Sequence, residues 1–201
     1  MGLFGRSRKK QPEETPAPSA LVVPLLAGNA WLAANEEAFA GIPDFPDEAK
    51  PFAVALTPEL WVTYAIDPSG SWEYVQRGQV DGYGGAEALH AAALHNLRAR
   101  IGADVSVSGG DGRYRLETPG EYDLSCSLLL APDLWTARTP VRGDAVLCAP
   151  TRVEVLVCGS EDQESVEALR AVSGDLYEEA RGKPVTPALH LLAGGSLSVL
   201  R

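Results

Sequence analysis

The histidines are the first candidates for acid–base or metal chemistry, and the chain has three of them. His90 and His95 stand five positions apart in a predicted helix, which places them about 140° apart around its axis. They therefore lack the i, i+4 spacing of a helical zinc pair. We interpret His90 as a core residue with one hydrogen bond rather than a catalytic base, and His95 as a residue of the opposite side. His190 stands alone in a predicted last helix.

The three cysteines could act as nucleophiles or metal ligands. Cys126 lies on the apolar side of a predicted strand. In a hairpin centred on Pro150-Thr151, Cys148 would face residue 153, and Cys158 would lie about five residues further along, far beyond disulfide reach. No neighbouring base is suggested for any of them. We interpret all three as structural thiols, and an odd, sparse set is typical of a reducing compartment.

Two glycine clusters could cradle a phosphate. Gly82-Tyr83-Gly84-Gly85 precedes a predicted helix, which is the right context for anion binding, but no Gly-Lys-Ser/Thr follows. Gly109-Gly110-Asp111-Gly112 has the composition of a hairpin turn. We interpret both clusters as turns. The sequence thus predicts no catalytic residue, no metal ligand, no cofactor and no cofactor-binding residue.

The elements that would position these residues follow from apolar periodicity. The patterns predict an α+β fold, with a mostly antiparallel sheet and amphipathic helices packed on one side. Helices are predicted at 29–40, 85–101, about 160–181, and from Thr186 onwards. Strands are predicted at 60–66, 72–76, 122–130, 146–149, 153–158 and 196–200, with a further hairpin at 104–118. A hairpin followed by a helix occurs at about 59–101 and again at about 145–181, so a diverged duplication is an alternative.

The third of these helices has the most marked signals. Ser160 and Gln163 have the spacing of a capping box at its start, and Gly182 and Pro184 end it. Its apolar stripe is formed by Val166, Leu169, Val172, Leu176 and Tyr177.

Charge divides the chain into a tail and a body. The formal net charge is -10, yet Arg6, Arg8, Lys9 and Lys10 lie in the first ten residues. We predict a disordered, basic, proline-rich tail over 1–19 and one α+β domain over 20–201. An acidic body repels nucleic acid and anionic lipid and suits a basic protein partner.

The location follows by elimination. No run approaches the roughly 20 apolar residues of a membrane span, and the short segment Ala20 to Leu26 comes too late for a signal peptide. These observations predict a cytoplasmic protein. Leu3 and Phe4 beside the basic cluster leave weak contact of the tail with a membrane as an alternative.

Four stretches carry a resemblance to a known family. They are Leu56-Thr57-Pro58-Glu59-Leu60-Trp61-Val62-Thr63-Tyr64-Ala65-Ile66-Asp67, then Ala93-Leu94-His95-Asn96-Leu97-Arg98, then Ser127-Leu128-Leu129-Leu130 with Asp133-Leu134-Trp135, and Gly143-Asp144-Ala145-Val146 with Ala149-Pro150-Thr151-Arg152. In order and spacing, from about 56 to 192, they resemble the YtpQ-like family, a bacterial domain of unknown function. The family pattern usually continues Pro-Ser-Arg-Asp, whereas Val153 follows Arg152 here. The resemblance implies the fold and leaves the activity open.

The sequence favours a non-catalytic protein-interaction domain of adaptor, chaperone-like or immunity type. Its candidate interaction residues are Arg152, Asp144 and Trp135. Arg152 either pairs with Asp144 or Glu154 to fix the hairpin, or anchors a partner. One alternative is an enzyme whose site is assembled from the distant residues Asp67, His90, Asp144 and Arg152. Another is a peripheral membrane protein held by its basic tail.

Overall fold

The computed structural model describes residues 21–66, 72–102, 104–180 and 184–201. The predicted tail at 1–19 and the predicted turn at 67–70 lie outside these residues. Within them the chain is α+β, and all of its strand pairs are antiparallel, which confirms the predicted fold class. The strands divide between two sheets, a division that periodicity does not reveal.

The first sheet is built around one central strand. Its strands are β1 (Val22–Gly28), β2 (Ala53–Thr57), β3 (Leu60–Ile66) and β4 (Glu73–Tyr74). The order is β1-β3-β2, and β4 also pairs with β3. The predicted strand at 60–66 is confirmed, and its predicted return strand is present but short. β1 and β2 were not predicted. β1 accommodates Pro24 because it is an edge strand, where a missing N–H breaks no ladder bond.

The second sheet has six strands. They are β5 (Ser106–Gly110), β6 (Arg113–Glu117), β7 (Ala145–Thr151), β8 (Glu154–Gly159), β9 (His190–Ala193) and β10 (Ser196–Val199). The order is β10-β9-β7-β8-β6-β5. The hairpin predicted at 104–118 and the last strand are confirmed. The two hairpin–helix units that suggested a duplication contribute to different sheets, and a duplication stays an alternative.

Three α-helices pack on these sheets. They are α1 (Asn29–Ala40), α2 (Ala86–Ile101) and α3 (Gln163–Glu179). α2 packs on β1 through a buried stripe formed by Leu89, Ala93, Leu97 and Ile101, and α3 packs on β7 and β8. Short 3₁₀ helices occupy Asp47–Ala49, Arg77–Tyr83, Tyr122–Leu130, Pro132–Leu134 and Thr136–Arg138.

The main core spans both sheets. One cluster of buried apolar side chains runs from Val22 in β1 to Val155 in β8 and Val185. At Gly28 the end of β1 approaches this last segment so closely that a Cβ atom would lie 1.6 Å from the Val185 carbonyl oxygen. A smaller cluster lies between α3 and the outer face of the second sheet.

The strand predicted at 122–130 is wrong, since Tyr122–Leu130 forms a 3₁₀ helix. The alternation of apolar residues with serines suggested one buried and one solvated face. The serines are in fact buried and hydrogen-bonded inside the protein: the Thr118 amide donates to Ser125 Oγ at 3.0 Å, and Ser127 Oγ donates to the Pro24 carbonyl at 2.9 Å. Both the apolar residues and the serines of this segment are therefore buried, although they alternate in the sequence.

The turn of the β7–β8 hairpin lies two residues beyond its predicted position. It is formed by Arg152 and Val153, because Thr151 pairs with Glu154. Pro150 remains within β7 at an irregularity in the register, where a missing N–H is tolerated. Cys148 consequently faces Leu156 rather than residue 153.

Two further predictions near the end of the chain are wrong. α3 is capped by Asp162, whose carboxylate accepts the Ser165 amide at 3.1 Å, and not by Ser160 with Gln163. The short helix predicted from Thr186 is absent from residues 184–201. Val185 and Thr186 instead donate their amides to the carbonyls of Pro150 and Ala149, and His190 begins β9.

Candidate functional site

Arg152 links the two sheets. Its guanidinium Nη2 donates to the Tyr74 hydroxyl of β4 at 2.8 Å, and its carbonyl accepts the Cys126 amide at 3.0 Å. Glu154 is buried and pairs with Arg115 instead, with 3.2 Å between Nε and Oε2. The predicted ion pair between Arg152 and an acid of its own hairpin is therefore wrong. Whether Arg152 also contacts a partner stays a prediction.

Asp144 and Trp135 share a cleft that Arg152 does not reach. Asp144 is exposed and precedes β7, whereas Arg152 follows the other end of that strand. Trp135 is buried, and its indole N–H donates to the Leu128 carbonyl at 2.9 Å. Both Asp144 and Trp135 line a cleft of about 380 Å³ beside Leu192. Burial makes Trp135 a wall of this cleft rather than an exposed anchor.

Two of the distant residues of the enzyme alternative lie at opposite ends of one strand. Asp144 and Arg152 are separated by the full length of β7, which is roughly 23 Å for a seven-residue strand. His90 lies on α2, where its Nδ1 is 3.0 Å from the Tyr64 hydroxyl. Burial lowers the pKa of His90 and raises that of Tyr64 to about 12. This single hydrogen bond agrees with the interpretation of His90 as a structural residue. Asp67 lies outside the described residues.

The other two histidines have opposite environments. His95 is exposed, as predicted for the far side of α2. His190 has no exposed surface, and its Nε2 lies 3.2 Å from Thr57 Oγ1. Burial lowers the pKa of His190 to about 4, although the nearby Ala188 carbonyl opposes the shift. A buried, neutral imidazole of this kind supports packing between β2 and β9.

The three cysteines are buried free thiols. Burial raises the pKa of Cys126 and Cys158 to about 11 and that of Cys148 to about 12. The reactive thiolate is therefore strongly disfavoured in each case. Cys158 contributes its surface to the floor of a groove described below.

Each glycine cluster ends in a turn, while Gly82 and Tyr83 close the 3₁₀ helix Arg77–Tyr83 and Gly109 and Gly110 belong to β5. Gly84 and Gly85 have φ values of 88° and 97° before α2, and Asp111 and Gly112 have values of 52° and 79° between β5 and β6. The second pair forms a type I′ turn, the hairpin connection that Asp-Gly favours. Among the described residues, no three His, Cys, Asp or Glu side chains are grouped to hold a metal ion. None of the described helices combines the length and apolar character that a membrane crossing requires.

A mainly apolar concave surface lies between α3 and the edge strand β5, and we name it the α3–β5 groove. Its volume is about 370 Å³. Its floor is formed by β5, β6 and β8, and its wall by one side of α3. The main lining residues are Ser108, Arg113, Arg115, Leu156, Cys158, Ala168, Leu169 and Val172.

α3 creates this groove because its apolar stripe is wider than the face that the sheet covers. Val166 and Leu169 are buried against β7 and β8. Val172, part of the same predicted stripe, is 44% exposed and turns toward the groove together with Ala168. The predicted apolar stripe is present on α3, but only some of its residues are buried in the core. Val172 therefore adds exposed apolar surface to the wall of the groove.

The charges on the groove floor are already balanced. Arg113 donates to Ser165 Oγ at 2.7 Å and lies 3.3 Å from Glu164, while Arg115 pairs with Glu117 and Glu154. The helical rim is acidic, since α3 carries five acids and one base. Its acids are Glu164, Glu167, Asp175, Glu178 and Glu179. The groove is thus apolar inside and negatively charged along one side.

The sequence reasoning missed the α3–β5 groove. The width of the apolar stripe of α3 was a partial indication of the groove, because at 100° per residue the stripe is too wide to be covered by a single sheet face. The missing information was the position of α3 over β7 and β8, which leaves β5 and β6 uncovered. Comparison with protein-family models, curated proteins and solved structures found no match for this chain. The resemblance to the YtpQ-like family accordingly stays a prediction.

Proposed function

We propose that this chain is a non-catalytic protein-interaction domain, of adaptor or immunity type, that binds an apolar segment with basic flanks in the α3–β5 groove. The observation that carries the proposal is the uncovered apolar groove beside an acidic helix. Bound apolar side chains would cover Val172, Ala168 and Leu156, with a gain of about 25 cal/mol for each Å² removed from water. Basic flanks would meet the acids of α3.

Charge supports a basic partner rather than an acidic one. The whole chain carries a net charge of -10, and the four cations of its first ten residues make the remainder more acidic still. Asp175 and Glu179 follow Val172 along the groove side of α3, and both are exposed. Complementary fields of this kind accelerate association and exclude partners of like charge.

The three free, buried thiols support the further proposal that the protein acts in a reducing compartment such as the cytoplasm. The enzyme alternative receives less support, because Asp144 and Arg152 lie at opposite ends of β7. Attachment of the basic tail to a membrane depends on residues outside the described part of the chain, and the α3–β5 groove favours a protein partner.

The test is selection of ligands from a displayed library of short random peptides. The selected peptides should combine large apolar residues with Lys or Arg, and their binding should weaken as salt is added. Val172→Asp places a charge in the apolar wall and should weaken binding at least about tenfold, since a buried unpaired charge costs well over 1 kcal/mol. Fluorescence anisotropy of the labelled peptides measures this loss.

Ile42→Asp is the matched control. Ile42 is 50% exposed, slightly more than Val172, and lies after α1, away from the groove. It should leave peptide affinity unchanged. Both variants should keep the melting temperature of the parent chain within a few degrees, because both side chains already face solvent. Selection of acidic peptides, or equal binding by the Val172→Asp variant, contradicts the proposal.

A further inference from the structure

We infer that the segment bound in the α3–β5 groove is an extended strand that pairs with β5 and continues the second sheet. This inference rests on the proposed function and adds the conformation of the partner. A peptide can join an exposed sheet edge through main-chain hydrogen bonds, while pockets select alternate side chains. Three features favour this conformation: the uncovered edge of β5, the backbone groups that it offers, and the small β5 residues beside the groove.

β5 is the uncovered edge of its sheet. The order β10-β9-β7-β8-β6-β5 leaves two outer strands, and β10 packs against β2 of the first sheet. Among the described elements, β5 packs closely only against β6. Its sequence, Ser-Val-Ser-Gly-Gly, contains neither the charged residues nor the proline with which proteins usually block exposed edges.

The hairpin turn determines which backbone groups of β5 point outward. In a two-residue type I′ hairpin, the residues that flank the turn exchange both of their hydrogen bonds. Those residues are Gly110 and Arg113, so Ser108 also bonds inward, to Arg115. The N–H and C=O groups of Val107 and Gly109 must then face away from β6.

An independent contact confirms this alternation. Val105 has the same parity as Val107 and Gly109, and its carbonyl accepts a hydrogen bond from Arg138 Nη1 at 2.8 Å. An outward carbonyl at this position is what the alternation requires. Among the described residues, no donor or acceptor takes the corresponding groups of Val107 and Gly109. Val107 and Gly109 of β5 therefore have backbone N–H and C=O groups that can pair with an added strand.

Small residues of β5 beside the groove leave room for the side chains of an added strand. Ser108 and Gly109 of β5 line the groove, and both are small, so long apolar side chains of an added strand can lean over them. The open ladder and the small residues of β5 both favour an extended occupant.

The experiment uses the full chain and the tightest peptide from the library selection, made synthetically. Amide hydrogen exchange is followed by NMR with and without saturating peptide. The Val107 and Gly109 amides should exchange at least about tenfold more slowly in the complex. The Ser106 and Ser108 amides, which already bond to β6, serve as internal controls and should change little.

Backbone methylation of the peptide gives a second readout. Two versions are made, each N-methylated at every other residue, with opposite parity. A strand on β5 uses the N–H groups of one parity only, so one version should bind like the parent peptide while the other loses affinity. A helical occupant would be disrupted by both versions, and loss of binding in both would overturn the inference.

The two proposals fail in different ways. If a selected peptide binds and Val172→Asp weakens it, but Val107 and Gly109 gain no protection, strand addition is wrong and the proposed function stands. If Val107 and Gly109 are already protected in the free chain, and more so at higher protein concentration, β5 pairs with a second copy and the inference is overturned. If no peptide shows sensitivity to Val172→Asp, the proposed function fails and the inference with it.

Discussion

Acid should destabilise this protein through His190. Thr57 Oγ1 accepts the amides of Glu59 and Leu60 at 3.2 and 3.1 Å, which occupies both of its lone pairs. Its hydroxyl hydrogen must therefore point at His190 Nε2, 3.2 Å away. The ring is held as the neutral tautomer with its hydrogen on Nδ1, which makes no well-formed hydrogen bond among the described residues, and the nearby Ala188 carbonyl compensates only in part. Protonation of Nε2 would set two donors against each other inside the core.

The size of the effect follows from the pKa. Burial lowers the pKa of His190 from 6.5 to about 4. Between these two values the unfolded chain binds the proton and the folded chain does not, so the free energy of unfolding rises with pH across this window. At 1.36 kcal/mol for each unit, the stability present above about pH 6.5 falls by roughly 3 kcal/mol when the pH reaches 4, and by about 2 kcal/mol at pH 5.

Urea unfolding at about pH 7.5 and about pH 5 measures this loss. His190→Gln keeps a polar group near Thr57 but cannot take up a proton, so its loss of stability over the interval should be about 2 kcal/mol smaller. His95→Gln is the matched control, because His95 is exposed, and it should retain the full loss of the parent chain. Burial also lowers the pKa of His90, but all three proteins share that contribution, which cancels in the comparison.

Equal losses in the His190→Gln variant and the parent chain would refute the reasoning. A second measurement is independent of the variant's stability. The His190 ring protons of the folded parent chain can be titrated by NMR, and a pKa at or above 6.5 would show that burial does not control the ring.

Two further predictions concern the contacts between the sheets. Arg152→Ala and Tyr74→Phe each remove one partner of the 2.8 Å hydrogen bond and should lower the free energy of unfolding by about 1 kcal/mol. The double variant should be little worse than either single variant in urea unfolding, and full additivity would show that the bond contributes nothing. Gly28→Ala places a Cβ atom 1.6 Å from the Val185 carbonyl oxygen and should cost about 3 kcal/mol or more. Gly82→Ala, with no atom within 4 Å of the new Cβ, is its control, and a similar melting temperature for the two variants would contradict the close approach.

Much of the fold follows from local patterns. α1 and α2 have the boundaries that periodicity and glycines predict, and the hairpin between β5 and β6 follows from Asp111-Gly112. These elements are specified by residues that are close in sequence. The predicted apolar stripe of α2 does supply its buried residues, whereas no residue of α1 is buried, so the sequence pattern predicts the boundaries of α1 but not its packing.

Other elements depend on contacts that local patterns do not contain. Ser125 and Ser127 are hydrogen-bonded to Thr118 and Pro24, which lie outside the segment 122–130. Because these serines are buried, the segment forms a 3₁₀ helix and not the strand that its alternating pattern suggests. Pro150 appeared to be a turn residue because an interior proline usually weakens a strand. A register irregularity in β7 accommodates it, and the turn moves to Arg152 and Val153.

The candidate site belongs to this second class. Arg152, Asp144 and Trp135 were selected by residue type, and the structure gives them an intersheet hydrogen bond, an exposed position before β7 and a buried cleft wall. The α3–β5 groove contains none of them. It exists because α3 covers β7 and β8 while the sheet continues to β6 and β5. The groove is thus set by the area of sheet that the helix leaves open, and this mismatch between two elements is not encoded in either one alone.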